Sequence, residues 1–396
     1  MEILEGVPKH HDWGSHHRIP EFVGENPSDK PVAELWYGAH PLGPATLSDG
    51  TLLSERIAED PDSFLGPSTQ YSFGNELPYL VKLIAPASPL SIQVHPGRQR
   101  AAAGFAEEQD SGLPLGHPRR SFQDPTHKPE MIFALSDYDA LVGFAVRRQA
   151  RLRLEGLESK IAGKLSRRLL MAAGRGIKPV VAWILDPDDG PGPEDIVTFV
   201  EDCKRRSAAG ASPDPFIDQA VADLYDRFGP DPAIMIAFLM NHVRLSPGEA
   251  VFVPTGTVHS YQNGFGLEVM ANSDNVVRAG LTNKHVAADL FLEIADFDGG
   301  PPLRIAPEHP TPGVSLFRSP IEDFELLAAH VEDSDQAPVA LPMAGPRIAV
   351  CLGGRVRLAT RAETLDLVRG QAAFIRDSDG RAVASGHGDV ALCSVP

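Results

Sequence analysis

The sequence predicts a mainly β protein interrupted by a block of helices and closed by a second β-rich stretch. Short runs bounded by Gly and Pro, many of them β-branched or alternating, recur on both sides of the middle: Val32–Gly38, Tyr79–Ile84, Ser91–His95, Met131–Leu135, Glu249–Val253 and Gly266–Ala271. Between them the apolar period becomes helical, with Leu154, Leu157, Ile161, Leu165 and Leu169 in register. From Val314 the chain returns to short strands and turns. There LVRGQAAFIRDSDG (Leu367–Gly380) repeats the outline of LSPGEAVFVPTGTV (Leu245–Val258). A chain of 396 residues exceeds one ordinary core. The expected division is one β domain from 1–145 and 241–300, a helical insertion over 146–240, and a second β domain over 301–396. The Pro/Gly-rich stretch 299–313 reads as a linker.

Composition narrows the function classes. Lys and Arg number 36 against 53 Asp and Glu, a net charge of −17. Such a field disfavours non-specific binding to nucleic acid or to anionic membranes, so neither is an expected partner. An anionic substrate would need a local cluster of Lys and Arg. Cys203, Cys351 and Cys393 are far apart and fit no metal spacing, which points to a reducing, cytoplasmic setting without disulfides. The first residues, MEILEGVPKHHDWGSHHRIP, have no apolar core of the kind a secretory signal needs. The longest strongly apolar run, Ala233–Met240, is far short of a membrane span.

Taken in order, the chain opens with His10, His11, His16 and His17 around Trp13. No carboxylate accompanies them at a useful spacing, so they read as wall and packing rather than as metal ligands. Thr51–Asp60 reads as a short helix capped by Thr51 or Ser54. Tyr79–Ile84 is a strand with one interior charge, Lys82. In Ser91–His95, period-2 geometry puts Ser91, Gln93 and His95 on one face and Ile92 and Val94 on the other. A hydroxyl, an amide and an imidazole make a poor core face, because buried polar groups need partners. They suit a site.

Arg98–Glu108 reads as a helix, and the stretch to Lys128 as a long loop of the kind usually kept for function. Glu130 then enters a strand directly after Pro129. In the insertion, helices are expected over Pro193–Arg206, Pro215–Phe228 and Asp231–Asn241, and its many arginines read as a solvated face. Past it, Glu249–Val253 is a strand, Pro254-Thr255-Gly256 a turn, and Thr257–Tyr261 a return strand with His259 and Tyr261 on one face. Gly248, Pro254, Gly256, His259 and Asn263 stand at the spacing of the second signature motif of the cupin β-barrels, which this hairpin resembles. The plain alternative for His259 is a buried histidine bonded to a backbone carbonyl.

Four candidates converge as metal ligands: Gln93, His95, Glu130 and His259. Two imidazoles, a carboxylate and an amide oxygen suit zinc with room for substrate, and iron(II) or manganese would also accept them. Glu268, Lys128, Arg278 and Lys284 stand around them in sequence. At NPSDKPVAELWYGAHP, LPYLVKLIAPASPLSIQVHP, HKPEM and TGTVHSYQNGFGLEVMANSDNVVRAGLTNKH the chain resembles the type I phosphomannose isomerases, over roughly residues 10 to 290. It departs from that family's habits at Arg98, Thr126 and Asn283, where Lys, Asn and Pro are common.

The resemblance implies a cupin or jelly-roll metal-binding core and a C-terminal jelly-roll-like domain. It implies one zinc ion per chain, held by Gln93, His95, Glu130 and His259, with Arg278 as the active-site arginine. The implied reaction interconverts D-mannose 6-phosphate and D-fructose 6-phosphate through an enediolate. That chemistry needs a base near C2, positive charge at the developing oxyanion and a phosphate anchor. Glu268 and Lys128 are candidate bases, and Asp274 is a further choice near the sugar. Ser91, Lys82, Lys128 and Lys284 are candidates for sugar and phosphate contacts. The partner is a small phosphosugar, and the chain is expected to be monomeric. A different metal-dependent sugar-modifying cupin would show His-x-His where this chain has Gln93-x-His95. A non-catalytic sugar-binding regulator would have lost ligands, and none is lost.

Overall fold

The computed structural model describes residues 1–172, 176–332, 338–342 and 344–396. Its strands form three antiparallel sheets. A seven-stranded sheet runs Leu303–Ile305, Ala250–Val253, Glu130–Ala134, Gly266–Ala271, Tyr79–Ile84, Glu34–Tyr37, Val7–Lys9. A five-stranded sheet runs Val277–Gly280, Ile92–Val94, His259–Asn263, Tyr138–Phe144, Met240–Leu245. The two face each other across a core that includes Ile84, Ile132 and Val251 from one and Tyr138, Val142 and Tyr261 from the other. The expected barrel interior is thus the space inside a sandwich of two separate sheets, with no strand pairing among the described residues that closes them.

Alternation along each strand assigns the layers. In Tyr79–Ile84, Tyr79, Val81 and Leu83 join the core shared with the third, nine-stranded sheet, while Lys82 and Ile84 face the five-stranded sheet. Tyr79 donates its hydroxyl hydrogen to the carbonyl of Pro346 at 2.9 Å. The outer face of the five-stranded sheet, through Ile92, Val94 and Val277, packs against the helices. The order of layers is therefore helices, five strands, seven strands, nine strands.

The expected elements formed with shifts that have physical causes. The strand Tyr79–Ile84 and the helix Pro215–Phe228 keep their expected bounds. The helix expected over Thr51–Asp60 is Leu53–Glu59, and neither Thr51 nor Ser54 caps it. The Thr51 N–H is taken by Asp49 Oδ1 at 2.9 Å, and the Leu52 N–H by Glu55 Oε2 at 3.4 Å. The leucine stripe near 154–169 breaks into helices Arg147–Leu152 and Lys160–Met171, with Gly156 at φ +79° in the turn between them. Ser159 caps the second by accepting from the Ala162 N–H. Inside the expected linker 299–313, Leu303–Ile305 adds to the exposed edge of Ala250–Val253 and covers it.

The nine-stranded sheet is built mainly from the tail, but Glu2–Glu5 pairs with Ala372–Ile375 and with Thr46–Leu47. Its two long strands, Arg347–Ala359 and Val383–Ser394, bulge between Cys351 and Gly353. Val356 and Leu358, beyond the bulge, share one core with Val314 and Leu327. No helix among the described residues is long and apolar enough to cross a membrane.

Candidate metal centre and active site

The turn Pro254–Thr257 delivers the first ligand. Gly256 sits at φ +82°, where a side chain would be strained, and donates its N–H to the His95 carbonyl at 2.9 Å. The turn is thereby tied to the neighbouring strand, and His259 falls in register with Gln93. Both face into the sandwich. Opposite them, Glu130 opens a strand of the seven-stranded sheet.

His95, Glu130 and His259 are buried, and their ligand atoms lie within 4.8 Å of one another. His95 Nε2 is 3.2 Å from Glu130 Oε1, and His259 Nε2 is 3.4 Å from Glu130 Oε2. The tautomers follow from the other ring nitrogens. His95 Nδ1 stands 2.6 Å from the carbonyl of Asn275, and His259 Nδ1 3.0 Å from that of Thr257. A carbonyl only accepts, so both Nδ1 atoms carry hydrogen and both Nε2 atoms present lone pairs. Burial, reinforced by Lys128, holds His95 down at about 4, and burial also lowers His259, so the rings stay neutral. Burial works against the Glu130 charge, yet the Lys128 ammonium at 3.2 Å holds its pKa well below the usual carboxylate range.

Lone pairs therefore face a carboxylate across a buried gap, and His95 Nε2 has no hydrogen-bond partner. Electron-pair donors converge so only around a cation. Gln93 stands beside these three: its amide nitrogen lies 3.3 Å from His259 Nε2, and exchanging the amide's nitrogen and oxygen would turn Oε1 inward. Tyr261 donates to Glu130 Oε2 at 2.9 Å and fixes the carboxylate from behind.

The long loop before Lys128 is fastened to this cluster. Asn275 donates its amide hydrogens to the carbonyls of Asp124 and Thr126, at 2.8 and 2.7 Å, and accepts from the Gln123 N–H at 2.7 Å. Asn275 thus holds the loop with its side chain and His95 with its carbonyl.

Beside the ligands runs a buried charge ladder. Lys82 Nζ lies 2.9 Å from Glu268 Oε2 and 3.6 Å from Glu34 Oε1, and Trp36 donates to Glu34 at 2.8 Å. Burial opposes the Lys82 charge, but the two glutamates outweigh it and raise its pKa. Two carboxylates share one ammonium, and they diverge. Burial lifts Glu268 to about 7 against the pull of Lys82, with Glu130 and Glu34 adding to the rise. For Glu34, Lys82 and the Trp36 N–H overcome burial and lower it. Nearby, His40 Nε2 lies 3.3 Å from Asp274 Oδ2. Burial, then Lys82, Lys128 and Lys9, push His40 to about 3, so this contact is a hydrogen bond from a neutral ring, with Nδ1 accepting the Leu42 N–H.

Of the residues singled out from sequence, Gln93, His95, Glu130, His259 and Lys128 meet in one cluster, and Lys82 and Glu268 pair beside it. Arg278 stands in register with Gln93, half-buried and with no ion pair among the described residues; burial lowers its pKa. Lys284 lies on the exposed rim, its pKa lowered by partial desolvation and by Arg278. Ser91 is half-buried, and no hydrogen bond among the described residues ties its side chain to the cluster. Sequence reading did not include Glu34, Trp36, His40, Tyr261 and Asn275 among the site residues. Glu34 had a faint signal, as a lone carboxylate in the apolar run VAELWYG.

Fold and site together define a class: an antiparallel β-sandwich of the cupin kind whose interior presents a donor set fit for a metal ion. Residues 2–147 match the family described as phosphomannose isomerase type I, catalytic domain. The mannose-6-phosphate isomerase of Escherichia coli K12 is 32% identical, across 99% of this chain and 98% of that one. The enzyme of the same name from Salmonella typhimurium is 30% identical over the same shares. A crystal structure of mannose 6-phosphate isomerase bound with zinc and yttrium superposes with a TM-score of 0.88 at 30% identity, covering 100% of this chain and 99% of that one. The chain belongs to the type I phosphomannose isomerase family.

Proposed function

We propose that this protein is a zinc-dependent mannose-6-phosphate isomerase, which interconverts D-mannose 6-phosphate and D-fructose 6-phosphate by moving a proton between C2 and C1 through an enediolate. The observation that carries this reading is the convergence of the His95 and His259 lone pairs on Glu130 in a buried gap. His95, Glu130, His259 and the Gln93 amide oxygen would hold one zinc ion. Bound there, zinc supplies Lewis-acid positive charge beside the substrate's oxygens.

The chain's own groups do the rest. Glu268 is the favoured base, because a carboxyl poised at about 7 both takes and returns a proton near neutrality. Lys82 orients it. Lys128 is the second candidate. Arg278 stabilises the developing oxyanion, and Lys284, Ser91 and Asp274 are assigned to phosphate and hydroxyl contacts at the rim. In this reading 1–145 with 241–300 form the catalytic unit, 146–240 an inserted helical unit and 301–396 a supporting unit that borrows Glu2–Glu5. The three cysteines are free and buried, which fits a reducing, cytoplasmic compartment, and the enzyme is taken to act as a monomer.

A coupled assay on mannose 6-phosphate tests the proposal. Prolonged chelation should abolish turnover and added zinc should restore it. Full activity in protein shown to be metal-free would sink it.

A further inference from the structure

The helical insertion carries a cavity that shares no residue with the metal cluster. It opens between the helices Arg147–Leu152 and Lys160–Met171 and measures about 650 Å³. Arg147, Arg148 and Arg151 stand in its lining together with leucines that include Leu154, Leu157 and Leu169. A space of this size suits a small molecule, since such pockets span roughly 300–1,000 Å³.

The three arginines differ from most of their neighbours. Arg153 meets Asp214 at 2.8 Å, Arg168 meets Asp189 at 2.9 Å, and Arg206 meets Asp218 at 2.5 Å, while Arg167 has no ion pair among the described residues. Among the described residues, Arg147, Arg148 and Arg151 have no ion pair and no side-chain hydrogen bond. Glu155 also lines the cavity without pairing to them. On a chain of net charge −17, three unanswered guanidinium groups at one mouth reverse the field locally. Guanidinium forks match phosphoryl oxygens in charge and shape. Leucines beneath them are wasted on a bare ion, but they fit the apolar body of a larger anion.

We propose that this cavity binds a small organic polyphosphate of the nucleoside diphosphate class, its phosphates on the arginines and its base and sugar over the leucines. Calorimetry on the full-length protein tests this with adenosine diphosphate, inorganic pyrophosphate and adenosine as probes. Adenosine diphosphate should bind once per chain with Kd below about 1 mM, more tightly than either probe alone, and saturating mannose 6-phosphate should not displace it. The Arg148→Glu, Arg151→Glu double variant should lose roughly tenfold or more in affinity as charge-assisted bonds are removed. Its isomerase turnover should stay unchanged, which also shows that it folds. Absence of binding, displacement by mannose 6-phosphate, or undiminished binding by the folded double variant would each overturn the site. Pyrophosphate binding as tightly as the nucleotide would overturn the role given to the leucines.

Discussion

Two hairpins in this molecule share a plan and differ in what they bury. In the first, Gly248 at φ +90° leads into the fully buried strand Ala250–Val253, and Gly256 at φ +82° turns the chain toward His259–Asn263. In the second, Gly370 at φ +86° leads into the buried strand Ala372–Ile375, and Gly380 at φ +63° precedes Val383–Ser394. Each region contains polar side chains withdrawn from water. In the tail this is Arg347, 0% exposed, whose terminal nitrogens donate to the carbonyls of Pro342 and Gly380 at 2.7 Å and of Arg376 at 2.5 Å. Among the described residues its Nε finds no partner. In the sandwich, His95 and His259 spend one nitrogen on a carbonyl and aim the other at a carboxylate. Donors meeting acceptors close a structure. Acceptors meeting acceptors leave room for a cation. Burial of a polar group alone therefore does not mark a site; the sign of what it faces does.

The largest effect should come from removing a charge aimed at the reaction. Arg278→Ala should lower kcat by ~10²–10³, the usual loss when one preorganised oxyanion donor is removed, with a smaller change in KM. A variant altered only in KM would make Arg278 a phosphate anchor instead. Next comes a residue that touches no metal. Asn275→Ala cuts the side-chain bonds that hold the 123–126 segment while keeping the carbonyl that faces His95. Metal affinity should fall by about 10–100-fold, as for other partners of ligating histidines. Zinc titration against a competing chelator measures it, and unchanged affinity would show that the loop does not support the cluster.

A pH profile sharpens the same contrast, because the sandwich contains a carboxyl lifted to about 7, whereas Arg347 in the tail is a guanidinium that stays protonated across the neutral range. A base must be ionised to act. As pH falls through about 7, Glu268 protonates, and kcat/KM should drop about tenfold per unit below that point. Glu268→Gln should remove this limb along with most of the activity. An acid limb that survives in the residual activity of that variant would assign the base elsewhere, with Lys128 next in line.

Much of this was legible in the sequence, for reasons of geometry. A period of two places Gln93 with His95, and His259 with Tyr261, so each strand's polar face could be read from the strand alone. The turn Pro254-Thr255-Gly256 fixed where His259 would fall. What escaped was non-local or carried by the backbone. Asn275 orients His95 through a carbonyl, which any residue has. Glu34 looks like one more strand carboxylate until the Lys82 ammonium is placed 3.6 Å from it, diagonally on the next strand. The pairing of Glu2 with Phe374 joins the two ends of the chain, and nothing in either segment announces the other. The burial of Arg347 was likewise unreadable, since its acceptors are the carbonyl of Pro342 and those at the two ends of the turn Asp377–Asp379.

That arginine supplies the smallest expected effect on activity. Arg347→Met keeps most of the side chain's volume and removes the cost of burying a guanidinium, but it leaves the carbonyls of Pro342, Arg376 and Gly380 without their donor. Each unsatisfied buried acceptor costs about 1–3 kcal/mol, and relief of the buried charge offsets part of the sum. Thermal and denaturant unfolding should therefore show a loss of about 2–4 kcal/mol. The zinc content and kcat of the folded variant should match wild type, because nothing in the tail hairpin faces the sandwich interior. The two measurements must be made on the same preparation, so that unfolded protein is not counted as inactive enzyme. If kcat falls in fully folded, zinc-loaded Arg347→Met, the collar of carbonyls transmits its order through Tyr79, which bonds to Pro346 and Cys393 and begins the strand that carries Lys82. The tail would then belong to the active site's support, and the distinction drawn between the two hairpins would fail.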